Sequence, residues 1–166
     1  MTETNSCFRA CILQHASPGA NPISKASGSP FAVTRILSVE DFEPYRLFVV
    51  SLLHERSDLK VICGVSNGLE AVQKAQELKP DLILMDIGLP GLNGMEAARR
   101  IRTLAPNSKI IFLTQESSPE VVREAVILGA SGYVLKSQAE TDLLVAVDAV
   151  LQNKQFFNDF GGRHRS

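Results

Sequence analysis

The chain has 166 residues, of which 45% are hydrophobic, and its formal net charge at pH 7 is −1. This length suits one domain of ordinary size with extensions, and the near-neutral charge excludes any general argument for binding nucleic acid. No apolar run reaches the roughly 18 residues of a membrane span, and we expect no secretory signal at the N-terminus. The odd number of three cysteines favours a reducing compartment. We therefore expect a cytoplasmic protein without membrane contact.

Residues 1–31 differ in composition from the rest of the chain. The run HASPGANPISKASGSP is rich in Ala, Ser, Pro and Gly and has neither the strand period nor the helix period. We therefore predict a flexible N-terminal extension. Cys7, Cys11 and His15 recur every four residues and would share one face of a helix. They are either a soft-metal face or a coincidence, since a zinc site normally has four ligands.

Residues 32–155 predict strands and helices in regular alternation. The strand-like runs, in chain order, are VTRILSV, LKVICGV, PDLILMD, SKIIFLT and SGYVLK. The helix-like runs that follow them are EPYRLFVVSLLHERS, NGLEAVQKAQELK, GMEAARRIRTLA, SPEVVREAVILGA and AETDLLVAVDAVLQN. Asn67 and Ser118 are predicted to cap the N-termini of two helices, and Gly129 is predicted to end one.

The strand-like runs are continuously apolar, which is typical of parallel strands that are buried on both faces. Five such strands alternating with five helices predict an α/β fold, a doubly wound five-stranded parallel sheet with helices on both faces. In such a fold the functional crevice lies at the carboxyl ends of the strands. We predict one domain over residues 32–155, followed by a C-terminal tail over residues 156–166.

Polar residues stand where the predicted strands end. Glu40 and Asp41 follow the first strand, and Asp86, Thr114 and Lys136 end the third, fourth and fifth. Three neighbouring carboxylates repel one another and need a cation, and oxygen ligands without His or Cys suit Mg²⁺. A lysine and a hydroxyl could hold phosphate oxygens, and an aspartate could act as nucleophile toward phosphorus. The cluster therefore predicts a phosphoryl-transfer site.

The runs RILSVED, PDLILMDIGLPGLNGMEAARRIR, IIFLT and GASGYVLK occur in this order along the chain. Together they resemble the receiver domain of two-component response regulators over about residues 33–155. The resemblance implies the flavodoxin-like receiver fold with strand order 2-1-3-4-5. GASGYVLK without a following proline, and LQNKQFF after it, are most similar to the subfamily that carries a LuxR-type helix-turn-helix output domain.

The resemblance implies a metal-dependent phosphoacceptor. Asp86 would take a phosphoryl group from a histidine kinase, a phosphotransfer protein or a small phosphodonor. Glu40, Asp41 and the backbone carbonyl of Gly88 would bind Mg²⁺ together with Asp86. Lys136 would contact the phosphoryl group.

The resemblance also implies a switch. Thr114 would follow the phosphoryl group, and Tyr133 would move inward behind Thr114. The fourth helix, the fifth strand and the fifth helix would then read out the change by protein–protein contact, with a homodimer formed on phosphorylation as one output.

The sequence departs from the family pattern at three positions of the predicted pocket. Glu40 stands where the family more often has Asp, and we expect it to bind metal with slightly different geometry. Ser137 replaces a proline, so no cis peptide is expected after Lys136. Gln115 stands where many members have a small residue, and we expect it to narrow the access to Asp86.

The interpretation that we prefer is a receiver that has no attached output domain and binds no DNA directly. Three other functions compete with it. The chain could be the receiver half of a LuxR-type DNA-binding regulator, because its text resembles that subfamily. The output domain would then be absent from this chain, since the residues after the last helix are too few for a helix-turn-helix. An enzyme of the haloacid dehalogenase type would need a second acid at Gly88, so we expect no enzyme. A carrier of flavin mononucleotide would need a phosphate loop where the acidic run EDFEP stands.

Overall fold

The computed structural model of the chain describes residues 32–157. The strands within this range are β1 (Thr34–Val39), β2 (Leu59–Val65), β3 (Leu82–Met85), β4 (Lys109–Thr114), β5 (Gly132–Leu135) and β6 (Phe156–Phe157). The helices within it are α1 (Glu43–His54), α2 (Gly68–Leu78), α3 (Gly94–Leu104), α4 (Pro119–Leu128) and α5 (Ala139–Leu151), with a 3₁₀ turn at Lys136–Gln138 before α5. The predicted Cys7, Cys11 and His15 face and the residues after Phe157 lie outside the described range.

The strands form a single parallel sheet in the order β2-β1-β3-β4-β5-β6. The predicted fold class and the order of the first five strands are confirmed. The predicted strand count is corrected, because β6 adds a sixth strand that pairs with β5 at Gly132 and Tyr133. Its two residues are too few to show any period in the sequence, and their rings pack against the two cores of the domain. The sheet thus continues into the segment predicted as a tail.

Each central strand sends alternate side chains to opposite faces of the sheet, where two separate cores form. On β3, Ile83 and Met85 join a core with side chains of α2, α3 and α4. Leu82 and Leu84 join a second core with side chains of α1 and α5. Burial on both faces is the physical reason why the strands read as unbroken apolar runs.

The local signals for helix ends act as predicted. The Asn67 side chain accepts a hydrogen bond from the backbone N–H of Glu70, and Ser118 accepts one from Val121. Gly129 ends α4 with φ of 88°, a conformation that favours glycine. These caps fix where α2 and α4 begin, at the edge of the sheet where the strands end.

Among residues 32–157, no helix has both the length and the apolarity that a membrane crossing requires. Cys63 on β2 is buried.

Gly94, the first residue of α3, lies directly against the backbone of the β3 end. A side-chain carbon at this position would overlap the carbonyl oxygen of Asp86. The Gly94 N–H donates to the carbonyl of Ile87, so the loop after β3 returns to the strand end that it left. This close approach fixes the backbone on which Asp86 is carried.

We expect Gly94→Ala to lower the free energy of unfolding by about 1–3 kcal/mol, because the added methyl must displace backbone rather than a flexible side chain. Gly88→Ala is the matched control in the same loop, since its side-chain carbon would meet nothing nearer than 3.9 Å. We expect that variant to stay within about 0.5 kcal/mol of the wild type. Urea unfolding followed by circular dichroism measures both, and equal losses would contradict the prediction.

Candidate functional site

The carboxyl ends of β1, β3, β4 and β5 border one open pocket of about 780 Å³. The site residues that the sequence predicted, apart from Tyr133, line this pocket: Glu40, Asp41, Asp86, Gly88, Thr114 and Lys136. Parallel strands place their carboxyl ends at the same edge of a sheet, which is why residues far apart in sequence meet here. The roles given to these residues remain predictions, whereas their assembly in one pocket is a feature of the structure.

The backbone of the sheet carries the two buried carboxylates into the pocket. The N–H of Glu40 donates to the carbonyl of Val65 at 3.0 Å, and the N–H of Asp86 donates to the carbonyl of Val39 at 3.0 Å. The parallel ladders therefore run as far as Glu40 and Asp86. Only 4% of Glu40 and 6% of Asp86 are exposed to solvent, while Asp41 is exposed.

Lys136 bridges the two buried carboxylates. Its Nζ lies 2.5 Å from Oε2 of Glu40 and 3.1 Å from Oδ2 of Asp86, and only 11% of its side chain is exposed. Burial disfavours the ammonium, but the hydrogen bond to Glu40 and the charge of Asp86 outweigh burial and raise the pKa of Lys136. The lysine is therefore a fixed positive charge at the centre of the pocket.

The cluster carries more negative than positive charge. One carboxylate oxygen from each of Glu40, Asp41 and Asp86 lies within 4.8 Å of the others. Burial raises the pKa of Glu40 even though Lys136 acts in the opposite direction. Carboxylate oxygens at this spacing, without nitrogen or sulfur ligands in the cluster, fit a hard divalent cation. The three residues are a candidate metal site.

Gly88 occupies the wall of the same pocket, two residues after Asp86. Its N–H donates to Oδ1 of Asp86 at 3.3 Å. This contact restrains one carboxylate oxygen of Asp86 from the side of the loop, while Lys136 contacts the other oxygen, Oδ2. The role of the Gly88 carbonyl as a metal ligand stays a prediction.

Thr114 and Tyr133 meet at one residue of the loop between β4 and α4. Oγ1 of Thr114 accepts from the N–H of Glu116 at 3.2 Å, and the Tyr133 hydroxyl donates to the carbonyl of Glu116 at 2.7 Å. Tyr133 is fully buried and its ring lies 6.2 Å from that of Phe112, centroid to centroid. Tyr133 is therefore held inside the domain, and its movement as a switch residue stays a prediction.

Two residues of the site had no role in the predictions from sequence. Tyr45, on the first turn of α1, lines the pocket and contacts Lys136. Glu116 links Thr114 to Tyr133 through its backbone. α1 starts two residues after Asp41 and turns its third residue back over the pocket, which was the available signal for Tyr45. Backbone contacts of a loop residue leave no such signal.

The three residues that depart from the family pattern, Glu40, Gln115 and Ser137, all line the pocket. Gln115 is exposed and lines the pocket beside Glu116, and its effect on access remains a prediction. Ser137 also lines the pocket, and the peptide bonds of residues 32–157 are trans.

The fold and the pocket define a class, namely doubly wound α/β domains with an acidic cluster and a buried lysine at the carboxyl edge of the sheet. The family model for the response regulator receiver domain matches residues 36–148 of the chain. The chain belongs to this family.

Comparisons with known proteins agree with this assignment. The chain is 34% identical over 123 residues to the response regulator protein VraR of Staphylococcus saprophyticus, which covers 74% of this chain and 59% of that protein. It is 39% identical over 116 residues to the transcriptional regulatory protein LnrK of Bacillus subtilis, which covers 70% of this chain and 53% of that protein. The chain thus spans little more than half the length of these curated relatives.

A solved structure of a two-component response regulator of the LuxR family from an Aurantimonas species is similar in fold. It superposes with a TM-score of 0.74 at 30% identity, covering 77% of this chain and 91% of that one. The chain is therefore the receiver domain of a two-component response regulator, related to the LuxR-type regulators.

We expect Mg²⁺ to raise the melting temperature, because it binds a folded acidic cluster that the unfolded chain lacks. At a concentration ten times its dissociation constant the gain is about 1.4 kcal/mol, or roughly 3–6 °C. Asp41→Asn should raise the melting temperature without metal, by relieving repulsion, and should remove most of the Mg²⁺ response.

Glu55→Gln is the control for this measurement. Glu55 follows the last residue of α1, at the opposite edge of the sheet, and is exposed. This variant should keep the full Mg²⁺ response in a thermal scan with and without MgCl₂. An undiminished response in Asp41→Asn would show that the metal binds elsewhere.

Proposed function

We propose that Asp86 accepts a phosphoryl group from a histidine kinase or a phosphotransfer protein, with Mg²⁺ in the pocket. The observation that carries this proposal is the position of Lys136, whose ammonium bridges Glu40 and Asp86 beside an unbalanced acidic cluster. The pocket is open to solvent and has room for a phosphoryl group beside Asp86. Small phosphodonors such as acetyl phosphate would serve the same acceptor.

The reaction forms an acyl phosphate. One carboxylate oxygen of Asp86 attacks phosphorus, and the bond between phosphorus and the donor histidine nitrogen breaks as the new phosphorus–oxygen bond forms. The leaving imidazole takes up a proton from water or keeps the one on its other nitrogen. With acetyl phosphate, the bond to the acetate oxygen breaks and acetate leaves.

Mg²⁺ would be held by Glu40, Asp41, Asp86 and the backbone carbonyl of Gly88. Bound there, it would neutralise the charge on the phosphoryl oxygens. Lys136 already points its ammonium at Asp86 and would exchange that contact for a phosphoryl oxygen. The chain's own contribution is a prearranged positive charge beside the acceptor oxygen.

The loop before α4 would carry the change away from the pocket. If Thr114 turns its hydroxyl toward the phosphoryl group, its bond from the N–H of Glu116 is lost. Glu116 also holds Tyr133 through its carbonyl and Ser118, the cap of α4, through its side chain. A new position of Glu116 would therefore move the start of α4 and the side chain of Tyr133 together.

The surface that would read this change consists of α4, β5 and α5, here called the output face. Its helices expose apolar side chains, with Ile127 at 81% and Val126 and Val145 also exposed. β6 lies along the outer edge of β5, so a partner that docks on this face also meets β6. Exposed apolar side chains favour a protein partner, and a second copy of the chain is the simplest one.

The domain would act as a signalling acceptor rather than as an enzyme. Its membership of the receiver family supports a cytoplasmic location and a kinase as partner. The alternative is that the chain is the receiver half of a LuxR-type DNA-binding regulator. This is favoured by the similarity to LnrK, a transcriptional regulatory protein of which the chain covers 53%. The reading frame beyond Ser166 in the native gene decides between the two.

We expect wild-type protein to gain the mass of one phosphoryl group after incubation with MgCl₂ and acetyl phosphate. Asp86→Asn should gain none, because it removes the acceptor oxygen. Asp148→Asn, which alters only a surface ion pair with Arg56, should behave as the wild type. Intact-mass spectrometry measures all three, and the adduct should be lost in alkali, as an acyl phosphate is. The proposal would be contradicted if Asp86→Asn gained the phosphoryl mass to the same extent as the wild type.

We expect the phosphorylated protein to form dimers through the output face. Ile127→Ser should lower the dimer fraction measured by size-exclusion chromatography with light scattering. Leu69→Ser is the matched control, because Leu69 is 61% exposed but lies on α2, away from the output face. Loss of dimers in Leu69→Ser instead, or no dimer in any phosphorylated sample, would contradict a homodimer as the output.

A further inference from the structure

Tyr45 contacts Lys136 at both ends of the lysine. Its hydroxyl donates to the backbone carbonyl of Lys136 at 3.1 Å, across 91 positions of the sequence. The Nζ of the same lysine lies 4.9 Å from the centre of the Tyr45 ring. One side chain of α1 thus touches both the backbone and the ammonium of the residue that faces Asp86.

Lys136 needs such an anchor because of where it lies in the chain. It follows the last residue of β5 and opens the 3₁₀ turn that leads into α5, so no ladder of the sheet extends to it. The sheet holds Glu40 and Asp86 by backbone hydrogen bonds at their own strand ends. The Tyr45 hydroxyl supplies the corresponding restraint for Lys136.

We infer that Tyr45 is a positioning residue, which holds the ammonium of Lys136 beside Asp86, where it can contact the phosphoryl group. The inference rests on the proposed function, since it assigns Tyr45 a part in phosphoryl acceptance at that same site. It names a residue on α1 that acts through the lysine and does not itself touch the phosphoryl group.

The neighbouring residue of α1 makes a parallel contact. Nη1 of Arg46 donates to the backbone carbonyl of Glu40 at 2.6 Å. Consecutive residues of α1 therefore hold the two partners of the closest ion pair in the pocket, Tyr45 the lysine and Arg46 the glutamate. Burial raises the pKa of Tyr45 to about 12, so its hydroxyl keeps its proton and remains a donor at neutral pH.

A purely structural role for Tyr45 predicts different behaviour. Its ring packs on the core shared by α1 and α5 and lies 5.6 Å from the ring of Phe48, centroid to centroid. Tyr45→Phe keeps this ring and its place under the ammonium, and removes only the hydroxyl. Ser51→Ala is the matched control on the same helix, because it removes a hydroxyl that donates to the carbonyl of Phe48, away from the pocket.

The first test measures phosphorylation by acetyl phosphate in a double-mutant cycle. Tyr45→Phe should lower the second-order rate constant about three- to tenfold, the effect of one positioning hydrogen bond, while Ser51→Ala should leave it unchanged. In a Lys136→Met background, Tyr45→Phe should change the rate less than about twofold, because the group it positions is gone. Equal losses in the two backgrounds, or no loss in the wild-type background, would overturn the inference.

The second test does not depend on phosphorylation. An amine-reactive reagent is added to the folded protein, and modification of Lys136 is followed by peptide mass spectrometry. Tyr45→Phe should raise the labelling rate of Lys136 severalfold over the wild type, while Ser51→Ala should not. If wild-type protein takes up no phosphoryl group, the proposed function fails, and the labelling rates alone decide whether Tyr45 holds Lys136. Unchanged labelling in Tyr45→Phe would reject the positioning role.

Discussion

The contact of one ammonium with two buried carboxylates organises the carboxyl edge of this sheet. Lys136 lies between Glu40 and Asp86, which end different strands, so the contact ties β1, β3 and β5 together at the pocket. Moving charged side chains out of water costs free energy, which close pairing of opposite charges offsets. In this pocket Glu40 and Asp86 share one lysine, and a third acid, Asp41, lies nearby. The pocket therefore retains negative charge that a cation would neutralise.

The contacts of this pocket continue into the loop between β4 and α4. Glu116 is the residue through which they pass, because it contacts Thr114 at the pocket, Tyr133 in the core and Ser118 at the start of α4. All three are hydrogen bonds to or from one residue, and a change in one of them strains the others. Tyr133 is buried in this arrangement, with its hydroxyl bonded to the carbonyl of Glu116.

Much of the fold could be read from the sequence because its signals are local. Asn67, Ser118 and Gly129 mark helix ends by their own chemistry, and buried strands show as unbroken apolar runs. The assembly of the acidic residues with Lys136 also followed, because a parallel sheet leaves no freedom in where its strand ends meet. β6 could not be predicted, since a two-residue strand has no period, and Tyr45 was missed because its role depends on the turn of α1 over the pocket. The backbone contacts of Glu116 have no sequence signature at all.

β6 has a consequence for how the sheet is completed. Without it, β5 would present a row of unsatisfied N–H and C=O groups, the kind of edge onto which a strand of another molecule adds. β6 is the last strand of the described residues and pairs with Gly132 and Tyr133 only after residues 156 and 157 are available. During synthesis on the ribosome, the strand that carries Tyr133 therefore stays open until after α5 has been made. The pairing of β6 with β5 covers the edge onto which a strand of a neighbouring nascent chain could otherwise add.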